Sequence, residues 1–169
     1  MKGVDVLLRA FVSETPASDV STEAHLRIVG DGSERRALQS LAQTLGIADR
    51  VTFVGFVAPP AVYDEFAAAE IFCGLSRSEA LGNVFLEAQA AGCAVIGTKV
   101  GGIPDIIKSG VNGWLIEPDN AEEAAEALKR LLTETELRLE LADTGRKHAA
   151  NYDWNDIAKR YAQIYEQLL

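Results

Sequence analysis

The sequence predicts an α/β domain of Rossmann-like, three-layer build: a parallel sheet with helices on both faces. Four short runs rich in β-branched and aromatic residues, 26–29, 51–56, 71–75 and 94–98, are nearly continuous in apolar character, as strands covered on both faces are. Helical patterns lie between them, and such alternation implies right-handed crossovers and parallel pairing. The chain has 169 residues, of which 48% are hydrophobic. That suits a single domain spanning 1–169, because folding at this size hides roughly 70% of the unfolded surface.

Val4, Leu7, Leu8 and Phe11 follow an i, i+3, i+4, i+7 pattern and predict a helix beginning almost at Met1. In a wound sheet such a helix normally follows a strand, and none precedes it here, so the chain reads as a piece of something longer. Residues 13–22 form a polar, loop-like stretch. The pattern over 33–45 puts Leu38, Leu41, Ala42 and Leu45 on one stripe. Pro60 opens a helix over 60–69, where its missing N–H costs nothing, and 82–91 reads as a short, mostly apolar helix. A weak strand over 114–116 follows the turn at Asn112-Gly113. Beyond it the chain turns helical. Over 121–132, Ala124, Leu128, Leu131 and Leu132 are in phase, with Glu126 and Arg130 spaced for an i, i+4 pair. A second helix runs from about Glu136 towards Tyr152. Asp153 caps a last one, 154–168, whose stripe is Ile157, Tyr161, Ile164 and Tyr165.

Composition narrows the function. Sixteen Lys and Arg against 25 Asp and Glu leave a net charge of −9. Binding to a nucleic-acid backbone needs clustered cations and is disfavoured, as is a polybasic membrane patch. No apolar run approaches the ~20 residues of a membrane span, and no signal-peptide pattern opens the chain. Cys73 and Cys93 have apolar neighbours and no C-x-x-C partner. They read as buried thiols in a reducing compartment, which places the domain in the cytoplasm. His25 and His148 lack metal-ligand spacing, and Ser76 and Ser78 lack a nucleophile elbow. No metal site and no covalent serine or cysteine chemistry is expected. Trp114 and Trp154 read as core or interdomain packing.

In open parallel sheets ligands bind beyond the carboxyl ends of the strands. The loop after 71–75 is the most telling. It reads Ser76-Arg77-Ser78-Glu79-Ala80-Leu81-Gly82-Asn83 and then opens a helix, whose free N–H groups and partial positive charge suit a phosphate. Gly82 permits close approach to the backbone. Glu87 sits on an otherwise apolar helix, where a carboxylate is costly to bury unless hydrogen-bonded; the two hydroxyls of a ribose would suit it. Glu79 would reach the same cleft. Gly30-Asp31-Gly32 reads as a tight strand-to-helix turn rather than a dinucleotide fingerprint, because Arg35 stands where the third glycine is required. Gly101-Gly102-Ile103-Pro104 reads equally as a ligand-facing loop and as a plain turn. Arg77 suits either a diphosphate or a surface salt bridge.

Residues 76–92, S-R-S-E-A-L-G-N-V-F-L-E-A-Q-A-A-G, resemble the E-x7-E signature of retaining glycosyltransferases of the GT-B fold, family four. The I-V-G-D-G of 28–32, the D-R-V-T-F-V-G-F of 49–56, the V-G-G-I-P-D of 100–105, the Y-D-W of 152–154 and the opening K-G-V-D agree with it. The resemblance implies the C-terminal, donor-binding half of a two-domain, metal-independent enzyme of hexosyltransferase type. It assigns Glu87 to the ribose hydroxyls and Glu79, the one catalytic candidate, to the donor sugar. The backbone amides of Leu81, Gly82, Asn83 and Val84 would face the diphosphate, with Lys2 as its cation. Phe56 and Val57 would lie near the base.

The expected ligand is a UDP-, GDP- or ADP-sugar, with no further cofactor. The expected partner is a missing N-terminal, acceptor-binding domain, through which peripheral membrane association would arise and towards which 153–169 would pack. Alone, the chain is expected to bind donor weakly and to catalyse nothing. Two departures stand out: Ala80-Leu81-Gly82 replaces the family's Gly-Phe-Gly, and the arginine usual shortly before the lysine is absent. The alternatives are a non-catalytic nucleotide- or carbohydrate-binding module and a related GT-B epimerase. A phosphoacceptor module is disfavoured, because the strands do not end in clustered acids.

Overall fold

Strands form where the apolar runs lie: β1 (Leu26–Val29), β2 (Val51–Gly55), β3 (Ile71–Gly74), β4 (Ala94–Thr98) and β5 (Trp114–Ile116). The computed structural model describes residues 2–13 and 24–167, apart from the side chain of Ser13. The polar stretch over 14–22 and the end of the last helix at Leu168 lie outside the described residues. Every strand pairing is parallel, but the pairing falls into two groups, β1–β2 and β3–β4–β5.

The helices are α1 (Val4–Ser13), α2 (Arg35–Thr44), α3 (Val62–Ala67), α4 (Asn83–Ala91), α5 (Ile103–Ile106), α6 (Ala121–Thr133), α7 (Thr135–Ala149) and α8 (Trp154–Glu166). β4 is buried along its whole length, and its alternating side chains supply two cores. Ala94 and Ile96 pack with Val6, Leu7 and Ala10 of α1, Leu128 and Leu131 of α6, and Leu141 of α7. Val95 packs with Phe66, Phe85 and Ala88, and with Ile103 and Ile106 of α5. This is the three-layer arrangement. A third cluster joins Leu8 and Phe11 of α1 to Ala42, Ile47 and Val51, so α1 packs into both halves. Each large side chain buried this way contributes about 1.5–3 kcal/mol.

Several local expectations need correction. Cover on both faces holds fully for β4 only; in β1, Leu26 and Ile28 are half-buried while Arg27 and Val29 are exposed. Among the described residues β1 has a sheet partner on one side alone, and Arg27 turns outward to a bidentate pair with Glu65 at 2.8 and 2.9 Å. Pro60 does not open a helix: α3 begins at Val62, and the Pro60 carbonyl accepts from the Tyr63 N–H in the turn before it. Arg130 bonds Glu134 at 2.9 Å rather than Glu126, since its guanidinium is held 4.7 Å over the Trp114 ring. The segment after Gly102 contains the short helix α5, with Pro104 in its first turn. α8 is capped by Asp153, whose carboxylate accepts from the Asn155 N–H, yet none of its described residues is buried. Trp154 is 80% exposed and joins no core among the described residues. Among the described residues, no helix is long and apolar enough to cross a membrane.

Candidate functional site

The loops after β3 and β4 build the site by leaning on each other. The Lys2 ammonium lies 2.5 Å from a Glu79 carboxylate oxygen. Chiefly through that hydrogen bond it holds the Glu79 carboxyl below the ordinary glutamate range, against the opposing effect of burial. The Ala80 N–H and the Ser76 hydroxyl lower it further. Lys2 reaches this position because Gly3, at φ +64°, lies so close to the Leu75 carbonyl that any Cβ would overlap it. The β3 end is itself pinned, as the Thr98 hydroxyl donates 2.6 Å to the Ser76 carbonyl.

The glycine pair after β4 supports the acid loop from behind. A Cβ on Gly101, at φ +52°, would overlap the Glu79 carbonyl oxygen, and one on Gly102 would come within 2.8 Å of the Ala80 carbonyl oxygen. The Gly102 N–H donates to that same Ala80 carbonyl at 3.1 Å. The pair is therefore a brace for the loop that presents Glu79. Arg77 is committed elsewhere. It grips Asp5 at 2.7 and 2.9 Å and Asp119 at 2.6 Å, tying α1, the acid loop and the turn before α6 together. That engagement raises its pKa and matches the salt-bridge reading.

Gly82, at φ +89°, precedes α4 and offers no side-chain cap. The first-turn N–H groups of Asn83 and Val84 have no acceptor inside the helix. Asn83 and Glu87, one turn apart, share an exposed stripe, while Phe85, Ala88 and Gln89 face the core. Glu87 thus carries no burial penalty on this apolar helix. Leu81 is 56% exposed at the lip, and Val84 is half-buried beneath it.

Phe56 and Val57 lie past the end of β2, in the other half of the sheet; Phe56 is 77% exposed and Val57 half-buried. The structure thus joins Lys2, Glu79 and the Gly82 tip directly, and sets Phe56 and Val57 apart from them. Gly30-Asp31-Gly32 serves as a turn, with Asp31 accepting from the Gly32 N–H at 2.8 Å. His25 meets the Thr52 hydroxyl at 2.7 Å, and His148 lies against Gln89 and Tyr152. Burial pushes the Cys93 thiol up to about 11, which leaves it a poor nucleophile. Sequence reasoning left the bracing role of Gly101 and Gly102 open; their only signal was two adjacent glycines ahead of a helix-opening Ile-Pro. Among the described residues, no three His, Cys, Asp or Glu side chains group as metal ligands do.

Residues 1–148 match the family described as glycosyl transferases group 1. The chain is 36% identical over 170 residues to a D-inositol 3-phosphate glycosyltransferase of Rhodococcus opacus, covering 98% of this chain and 38% of that protein. Anabaena HepE, solved in complex with UDP-glucose, superposes with a TM-score of 0.81 at 26% identity, over 99% of this chain and 45% of its own. The C-terminal domain of a glycosyl transferase group 1 family protein from Francisella tularensis superposes with a TM-score of 0.79 at 27% identity, over 89% of this chain and 78% of its own. The chain spans about two fifths of the length of the curated relatives it matches.

Proposed function

This chain belongs to the glycosyl transferases group 1 family, and from that membership we propose that it is the donor-binding half of a GT-B sugar transferase, holding a nucleoside-diphosphate sugar at the tip of α4. The observation that carries this reading is the tip itself. An uncapped helix start at Gly82 stands beside a lysine already held by Glu79. A helix N-terminus and an ammonium are suited to a diphosphate, and they stabilise it most when it departs with developing charge. Lys2 exchanges its carboxylate partner for phosphate oxygens, which releases Glu79 to the sugar hydroxyls. Glu87, one turn along the exposed stripe, accepts from the ribose hydroxyls, and the exposed ring of Phe56 covers the base. The hexosyl acceptor site belongs to a second domain, towards which the apolar stripe of α8 packs; the chain alone binds donor without transferring sugar.

Titration calorimetry with UDP-glucose, GDP-mannose and ADP-glucose tests the reading. One of them is expected to bind, with affinity falling as salt rises. Similarity to a protein solved with UDP-glucose makes the uridine donor the first choice. No measurable binding of any of the three, with the chain folded, overturns the proposal.

A further inference from the structure

Two stretches of chain, 2–5 and 75–79, lie side by side and are stitched at three points. Gly3 closes on the Leu75 carbonyl, the Lys2 ammonium meets Glu79, and the Asp5 carboxylate accepts from both Nη1 and Nη2 of Arg77, at 2.9 and 2.7 Å. The polar contacts are unequal. The Lys2 side chain is 69% exposed, and one flexible ammonium in water fixes little by itself. The Arg77 side chain is only 24% exposed, and its planar fork sets both distance and orientation on a carboxylate. Its remaining edge is taken as well, since Nε donates to Asp119 at 2.6 Å. Asp119 holds a left-handed backbone, φ +63°, which is costly for an L residue and persists where surrounding contacts fix it. Two carboxylates more than cancel one guanidinium, so Arg77 has little charge left to offer a diphosphate.

We propose that Arg77 is a positioning residue: gripped between Asp5 and Asp119, it sets where Lys2 stands relative to Glu79 and the tip of α4, without itself touching the donor. Arg77 lies two residues before Glu79, and Asp5 three after Lys2. The fork therefore fixes the separation of the two segments right beside the pair they present. Lys2 then needs only rotation about its own side-chain bonds to pass from Glu79 to a phosphate. The setting of Lys2 on Glu79 belongs to the free chain; its consequence for affinity rests on the donor reading.

Carbon-13 NMR of the Glu79 carboxyl through a pH titration tests the first part, and calorimetry with UDP the second. Lys2→Met removes the ammonium and should raise the Glu79 pKa towards the ordinary glutamate range. Asp5→Asn deletes a negative charge, whose direct field alone would lower that pKa, whereas a displaced Lys2 raises it. Arg77→Lys keeps the charge and loses the fork. A rise is expected in both variants, and it should vanish when Lys2→Met is already present. UDP affinity should fall roughly threefold in Asp5→Asn, and the Asp5→Asn/Lys2→Met double variant should bind no more weakly than Lys2→Met alone. A Glu79 pKa that stays or drops in the folded variants overturns the proposal, as do additive losses of affinity; should Asp5→Asn not fold, Arg77→Lys decides. A rise in the variants of a chain that binds no UDP leaves Arg77 its role and removes the donor reading instead.

Discussion

Lys2 and Glu79, 77 residues apart in sequence, meet at 2.5 Å, where the approach to α1 crosses the middle of the acid loop. The pair keeps a cation parked at the helix tip, with a carboxylate that a phosphate must displace. Replacing Lys2 with Met should lower affinity for a nucleoside diphosphate about tenfold, the loss of one charge-assisted bond. Glu79→Gln should leave binding of the bare nucleotide equal or slightly tighter, because Lys2 is then unopposed, while weakening the sugar-bearing form. Calorimetry on UDP and UDP-glucose separates the two. Parallel losses for both ligands in Glu79→Gln would count against its sugar role.

Glu87 is exposed on the stripe it shares with Asn83, so removing it should not disturb packing. Glu87→Ala should shift thermal stability within about 0.5 kcal/mol and reduce nucleotide affinity tenfold or more, roughly one charged hydrogen bond. Unchanged affinity would remove it from the ribose site.

The brace behind the acid loop predicts a sharper effect. Gly101→Ala places a methyl on the Glu79 carbonyl and should cost about 1–3 kcal/mol, with donor affinity falling as the loop shifts. Gly110, at φ +78° with open space around it, is the control. Gly110→Ala should cost only about 1 kcal/mol of backbone strain and leave binding intact. Chemical denaturation and calorimetry on both variants check this.

Stability should respond to pH in two windows. Burial, then the Lys108 charge, hold the His148 pKa below 6.5. Protonation therefore opposes folding, and stability should decline as pH drops below about 6.5 until the folded value is passed; His148→Gln should abolish that decline. The carboxyls of Glu79, held low by Lys2, and Asp5, held low by Arg77, contribute fully above 4.5. Their contribution is lost only as pH falls through their lowered folded values. Urea midpoints measured from pH 8 to pH 3 should show both steps.

No described residue of α8 is buried, and Trp154 is 80% exposed. Deleting 154–169 should change the free energy of unfolding, read from urea denaturation, by less than about 1 kcal/mol. It should also remove the tryptophan emission most open to acrylamide, leaving Trp114 beneath its arginine.

Strand positions were legible because a run such as that of β4 has nowhere to go but inside. The acid loop was legible because Glu79, Gly82 and Glu87 are close in sequence and their chemistry is local. Partners brought together by the fold were not. Lys2 could be matched to a phosphate by resemblance but not to Glu79, since the meeting depends on Gly3 closing against Leu75. Spacing points Arg130 to Glu126, yet the Trp114 ring decides which neighbour it reaches. The exposure of Glu87 depends on which side of α4 faces β4, and an almost uniformly apolar helix does not mark that side. The division of the sheet depends on edges, which composition does not describe.

The double attachment of α1 also sets a schedule for folding. Its Leu8 and Phe11 join a cluster that reaches along the chain to Phe53, whereas Val6, Leu7 and Ala10 join one that reaches to Leu128 and Leu131 of α6. During synthesis, which delivers the amino end first, the near flank finds its partners early, and the far flank is not fully covered until α6, more than a hundred residues on, has emerged. Contacts of that range close slowly. A nascent chain therefore exposes part of an oily helix flank on the ribosome while those residues are made, and a chaperone that shields apolar segments has a target there.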